Sequence, residues 1–213
     1  MLRIIGILLA AMYLVGVNNA FAQASGYTKI NVKNQVQLEI PDEWTINDAE
    51  HRKRIRDFSK KLSGQANDEI AALSVHSFPS PSRMWIRVSF ISMDPPLSQA
   101  DLTKELRTGE KEFLNGLRDG WQEEAPSMWA TLGKQGIREV GRPSFAIEQL
   151  GGKTAFVIRY GRTSVNDPTQ TVKVAQYHVL LGKEKALITL SHFDGDPQIL
   201  AAHNRIKNSI AIR

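Results

Sequence analysis

Hydrophobic and polar positions alternate along much of the chain, and the period changes several times. Tyr27 to Val32 and Val36 to Ile40 alternate with a period of two, as half-buried strands do. Lys33-Asn34 separates them as a turn, and Pro41-Asp42-Glu43-Trp44 ends the second. The period then becomes helical. Asn47 is placed to cap a helix reaching about Leu62, with Ile55, Phe58 and Leu62 on one side and Ser63-Gly64 as the stop. Ile70 to Phe78 and Met84 to Met93 read as two longer strands joined by Pro79 to Arg83. Pairing Phe78 with Met84 places Ala72, Ser74 and His76 on a face with Ile86, Val88 and Phe90, and leaves Leu73, Val75, Trp85 and Ile91 on the other. Apolar residues on both faces require cover on both.

Asp94-Pro95-Pro96 breaks the pattern. Ser98 then caps a long helix over about Gln99–Glu123, with a stripe of Leu102, Leu106, Phe113, Leu117 and Trp121, and with Gly109 as a weak point inside it. Pro126 to Lys134 reads as an irregular connector. Five strands follow, over about 136–140, 144–150, 153–163, 171–181 and 185–193. Gly151-Gly152, Asn166 to Pro168 and Gly182-Lys183 supply the turns. Asp196-Pro197 opens a final helix, Asp as cap and Pro at the first helical position. Hairpins dominate, so the expected fold is α+β: a mainly antiparallel twisted sheet with helices on both faces, an α/β/α sandwich.

The first residues belong to a different pattern. Arg3 precedes an apolar run from Ile4 to Val17, and Ala20-Phe21-Ala22 offers small residues at both positions a signal peptidase reads. This predicts a removed secretory signal over 1–22 and a single domain over 23–213. The run is shorter than the about 20 residues a membrane span needs, and no second run of spanning length follows. The remaining chain is expected to be soluble, with no transmembrane segment. The chain has no cysteine, which removes disulfides, thiolate sites and a lipid-anchored cysteine. That absence fits a bacterial periplasm, where disulfides are permitted but not required.

The chemistry-bearing residues assemble no catalytic motif. Gly152-Lys153-Thr154 ends like a phosphate loop, but Ile147 stands where the first glycine belongs, and the segment is a hairpin. The five histidines lack metal-ligand spacing. The Gly182-Lys183 turn sets His178 opposite Leu187 and His192 opposite Lys173. At roughly 3.3 Å per residue the two imidazoles are then well over about 10 Å apart. His203 reads as a packed or rim histidine of the final helix. Asp194-Gly195-Asp196 starts like a calcium loop, but Arg205 stands where the bidentate carboxylate belongs. No catalytic residue, metal ligand or cofactor is therefore assigned.

Two features point to binding. Trp85, beside a Pro-rich loop, and Met128-Trp129, in the connector, are candidate contact residues, because exposed tryptophans favour binding surfaces. The basic run at Arg52, Lys53, Arg54 and Arg56 is a candidate contact for anionic lipid or another polyanion, with a solvated helix face as the plainer reading.

The order of elements resembles the PsbP/Mog-like superfamily, and within it the exported, DcrB-like bacterial members. The residues that carry the resemblance are Val36 to Trp44 with its P-x-x-W turn, the hairpin Ala146 to Tyr160, and Gln176 to Ser191 followed by the helix ending Ile206 to Ile210. The resemblance implies a helix-flanked antiparallel sheet and a mostly non-enzymatic accessory or binding role with no shared catalytic residues. Together these features predict a periplasmic protein that contacts an envelope protein or small ligand and binds no nucleic acid. A small hydrolase with an unrecognised site and an anionic-lipid module are the alternatives.

Overall fold

The computed structural model describes residues 26–54, 71–78 and 81–213. The predicted signal segment, Arg56 and the rest of the first helix beyond residue 54 lie outside these residues.

The strands fall into two antiparallel sheets rather than one. The smaller sheet pairs β1 (Tyr27–Val32) with β2 (Val36–Pro41) and adds β10 (Ala211–Ile212) from the far end of the chain. The larger has seven strands: β3 (Thr45–Ile46), β4 (Leu73–His76), β5 (Met84–Leu97), β6 (Glu139–Leu150), β7 (Lys153–Thr163), β8 (Thr171–Leu180) and β9 (Gly182–Phe193). They are arranged in the order β3-β4-β5-β9-β8-β7-β6. Helix α1 is described over 49–54, α2 is Gln99–Gly133 and α3 is Pro197–Ser209. The α+β class and the antiparallel pairing are as expected. The division arises because the β1–β2 hairpin pairs with no strand of the larger sheet, and Ala211 and Ile212 return to the free edge of β2.

One face of the large sheet carries Leu73, Val75, Ile86, Val88, Ile188, Leu190, Tyr177 and Val157. Against it pack Val36, Leu38 and Ile40 of the small sheet and Ile206 and Ile210 at the end of α3. This is the core. The other face, over β6 to β8, is covered by α2 through Phe113 on Phe156 and Trp121 on Phe145 and Tyr160.

Three local expectations are corrected. The β4–β5 register is one residue off the predicted one: His76 faces Trp85 and Val75 faces Ile86. A one-residue slip exchanges the faces, so Leu73 and Val75 join Ile86 and Val88 in the core. Helix α1 is capped by Asp48, whose Oδ1 accepts from His51 N at 2.6 Å, rather than by Asn47, which is buried and donates from Nδ2 to Ser74 Oγ. The long helix does not end near Glu123. It runs through Pro126 to Gly133, bent at Gly109, so Met128 and Trp129 are helical rather than in a connector. Proline costs one backbone donor but sits on the exposed side, while Phe113, Leu117, Trp121, Ala125 and Trp129 keep a four-residue repeat against the sheet. In addition, β5 continues past Asp94-Pro95-Pro96 to Leu97, with its pairing to β9 interrupted between Ser92 and Leu97.

The N-terminal caps of α2 and α3 are the expected ones. Ser98 and Asp101 form a reciprocal capping box. Ser98→Ala is expected to lower stability by about 1 kcal/mol, seen as a lower urea midpoint at unchanged slope. An unchanged midpoint would show that the box contributes nothing. Asp196 caps α3 by accepting from Gln198 N and Ile199 N, and Pro197 follows it.

Candidate functional site: a cationic cleft between the sheet and α3

The core face of the large sheet is not covered along its whole length. Beside the second half of α3, where β6 leaves regular pairing, a cleft of about 590 Å³ opens between strands β6 to β9 and the helix. Its lining includes Arg142, Arg159, Lys173, Tyr177, His192, His203 and Lys207.

Local chain chemistry shapes each wall. On β6 the register jumps between Val140 and Ser144, so Gly141, Arg142 and Pro143 bulge from the edge, with Gly141 at φ 75°. Opposite the bulge is Gly161, where a Cβ would lie 2.5 Å from the Val140 carbonyl oxygen. The strands approach so closely there that only glycine fits, and its missing side chain leaves the cleft open. Period-two alternation places Arg159, Tyr177 and His192 on this face of β7, β8 and β9. The short link from Phe193 to Asp196 folds α3 back over β9, which brings His203 and Lys207 down from above.

Beside the cleft, and joined to it through two of its lining cations, Glu148 of β6 accepts from Arg159 Nη2 at 2.5 Å and from Lys207 Nζ at 3.1 Å. Burial disfavours the charge on Glu148, yet the bonds from Lys207 and Arg159 outweigh it and hold its pKa below the ordinary carboxylate value. Burial likewise opposes the charge on Lys207, and Glu148 and Tyr177 reverse that, raising its pKa. The fully buried Tyr177 ring is the floor, with Lys207 Nζ 5.4 Å and the Arg159 guanidinium carbon 5.8 Å from its centroid. Lys173 at the rim pairs with Asp194 at 3.3 Å. One carboxylate therefore serves two cations, each with further donors, and the cleft is net positive.

The two histidines meet. His192 and His203 have ring centroids 4.7 Å apart. His192 Nδ1 is 2.9 Å from the Phe193 carbonyl oxygen, and His203 Nδ1 is 3.2 Å from Asn204 Oδ1. Burial, with smaller contributions from His192, Lys207 and Arg159, keeps the His203 pKa below its ordinary value.

The residues singled out by sequence lie elsewhere. Trp85 is half-buried on the opposite sheet face, edge-on to Phe193 at 5.7 Å. Trp129 is half-buried under α2, edge-on to Tyr160 at 5.7 Å, with Met128 beside it. Trp85 and Tyr160 fall in one row across that face, three strands apart, or roughly 14 Å. In the basic run, Arg52 donates to the Asn47 carbonyl at 2.5 Å and Arg54 pairs with Glu50 at 3.9 Å, while Lys53 is exposed. The cleft residues were missed because His203 was weighed alone. The available signal was the tight link between β9 and α3, which forces a helix to lie on its own preceding strand.

A wider hollow of about 710 Å³ lies at the start of α3, but its Asp196 carboxylate is already bonded to Arg83 at 2.6 Å. Among the described residues, no three His, Cys, Asp or Glu side chains gather as a metal site. No described helix is long and apolar enough to cross a membrane.

No family model and no curated protein matches the chain. Among solved structures it is similar to the cyanobacterial PsbP (CyanoP) of Synechocystis sp. PCC 6803, with TM-score 0.45 and 11% identity over 93% of this chain and 99% of that one. It is also similar to a crystal structure from Bacteroides thetaiotaomicron VPI-5482, with TM-score 0.45 and 8% identity over 89% of this chain. The chain spans about half, 49%, of the length of the Bacteroides chain.

Proposed function

We propose that the protein is a non-enzymatic binding or accessory module of the bacterial envelope, exported to the periplasm, which takes an anionic group of a small ligand or protein partner in the cationic cleft. The observation that carries this reading is the convergence of Arg159 and Lys207 on the single carboxylate of Glu148, over the Tyr177 ring. Two cations held in place with donors left over form a preorganised anion site, so little side-chain entropy is lost on binding. The leader pattern of residues 1–22 supports export, and the resemblance to exported DcrB-like members of the PsbP/Mog-like superfamily supports an accessory role.

The bonds made by the cleft residues favour binding over catalysis. The hydrolytic triad is one catalytic arrangement that can be compared directly: a carboxylate orients an imidazole that is bonded to a nucleophile. Here Glu148 is committed to Arg159 and Lys207, and each imidazole Nδ1 faces an oxygen of a backbone or amide carbonyl.

The test is a titration with citrate followed by amide chemical shifts. Perturbations are expected to cluster at Arg159, Lys173, His192 and Lys207. The Arg159→Gln/Lys207→Gln double variant is expected to bind at least about tenfold more weakly, since each charged hydrogen bond contributes about 1.5–3 kcal/mol. Perturbations scattered over the surface, or unchanged affinity in the variant, overturn the reading.

A further inference from the structure

We infer that the ligand class of this cleft is a doubly charged oxyanion, of the phosphate or sulfate type, and that it enters with uptake of a proton by the His192–His203 pair. The inference rests on the anion-site reading above and goes beyond it by naming the ligand's charge and the protein's response.

The argument starts from the tautomers. A carbonyl oxygen only accepts, so the short approach of His192 Nδ1 to the Phe193 carbonyl oxygen puts that ring's proton on Nδ1. The same holds for His203 Nδ1 against Asn204 Oδ1. In each neutral ring the remaining nitrogen, Nε2, is then a lone pair. An oxyanion also presents only lone pairs. Contact between the two is repulsive until Nε2 gains a proton, after which it donates to the anion.

Burial, aided by the surrounding cations, keeps that proton off His203 while the cleft is empty. From α3, His203 and Lys207 face the site; from β9, His192; from β8, Lys173 and the Tyr177 phenol; from β7, Arg159; from β6, Arg142 and the carboxylate of Glu148. Glu148 is already shared by two cations, and Lys173 is paired with Asp194. The neighbourhood therefore opposes an imidazolium, and two rings with centroids 4.7 Å apart oppose a second one. A dianion reverses the sign of that field. Arg159 and Lys207 together, less the charge of Glu148, leave one net positive charge, and the charge of the exposed Arg142 at the rim is screened by solvent, so a monoanion is already balanced and gains little from a protonated histidine. The second negative charge is what makes protonation favourable, so charge two and proton uptake go together. The same cations disfavour a divalent metal at the pair.

Sulfate is the probe, because it remains a dianion from pH 5 to 8 and brings no titration of its own. Calorimetric titration with sulfate in two buffers of different ionisation enthalpy is expected to show net proton uptake near pH 7. Affinity is expected to rise about tenfold from pH 7.5 to 5.5, the effect of about one unit of pKa difference between free and bound protein. Acetate, the monoanion arm, is expected to show less than a twofold change. In the His192→Gln/His203→Gln variant the sulfate pH profile is expected to be flat. A second readout needs no substitution: the imidazole Cε1 proton signals of the wild type should titrate at higher pH with sulfate than without. Sulfate binding with no proton uptake, or a pH slope retained in the double variant, overturns the inference and leaves the anion site standing. No binding of sulfate or citrate at any pH removes both.

Discussion

Replacing His178 with phenylalanine is expected to abolish about 3 kcal/mol of acid destabilisation between pH 7 and pH 4. His178 lies on the helix-covered face of β8, 9% exposed, stacked on Phe156 at 4.5 Å, and neither ring nitrogen has a hydrogen-bond partner among the described residues. Burial, helped by the nearby Lys185 charge, pushes its pKa down from 6.5 to about 3. The folded protein thus refuses a proton that the unfolded chain accepts. Above pH 6.5 neither state binds it and stability is unaffected. As the pH falls below 6.5 the unfolded state alone protonates, and stability drops by about 1.4 kcal/mol per pH unit until the folded pKa is reached. Phenylalanine keeps the stacked ring and removes two unpaired polar atoms, so the variant should also be about 1–2 kcal/mol more stable at pH 7. Urea midpoints of both proteins at pH 7 and pH 4 decide this. Equal losses on acidification in the two would show that His178 does not carry the effect.

Gly151→Val is expected to cost about 3 kcal/mol and to release the C-terminal strand. Gly151 has φ 58°, a conformation a β-branched residue adopts only under strain. A Cβ there would also lie 2.9 Å from Ile212 Cγ1 and 2.9 Å from Ile212 N. The hairpin does more than turn the chain, since its carbonyl accepts from Ile212 N at 3.1 Å. It is the seat on which β10 docks, and through β10 the small sheet is closed and Ile210 and Ile212 stay buried. Gly152, also at positive φ, has no atom near its Cβ position, so Gly152→Asn should cost less than about 1 kcal/mol. Hydrogen exchange at the Ile212 amide should be slow in the wild type and in Gly152→Asn, and fast in Gly151→Val. Retained protection in Gly151→Val would be contrary to the docking role.

The contrast between β4–β5 and β8–β9 shows which parts of the fold were legible. The turn at Gly182-Lys183 is tight, and the pairing read from it, His178 with Leu187 and His192 with Lys173, is the observed one. The loop between β4 and β5 is long, so turn chemistry fixes nothing, and the register is decided by which alternating set reaches the core. Pro126 misled for a related reason. Read locally, proline ends a helix, yet the packing of Ala125 and Trp129 on either side outweighs one missing donor. Of the candidate site, Trp85, Trp129 and Arg52 were chosen by residue type, and each makes an intramolecular contact.

Alternation, turn residues and caps therefore determined the class of the fold, most of its strands and the positions of α2 and α3, because these signals act over a few neighbouring residues. The membership of β10 in a second sheet, the face to which Leu73 and Val75 turn, and the cleft itself were decided by tertiary structure. Arg142, Arg159, Tyr177, His192 and Lys207 come from four strands and a helix. They share a wall only because β9 lies inside the sheet beside β8, and because α3 folds back along that face and leaves its β6–β8 side open. No local pattern encodes a gap between two packed layers, since it depends on where a helix lies relative to strands far away in sequence.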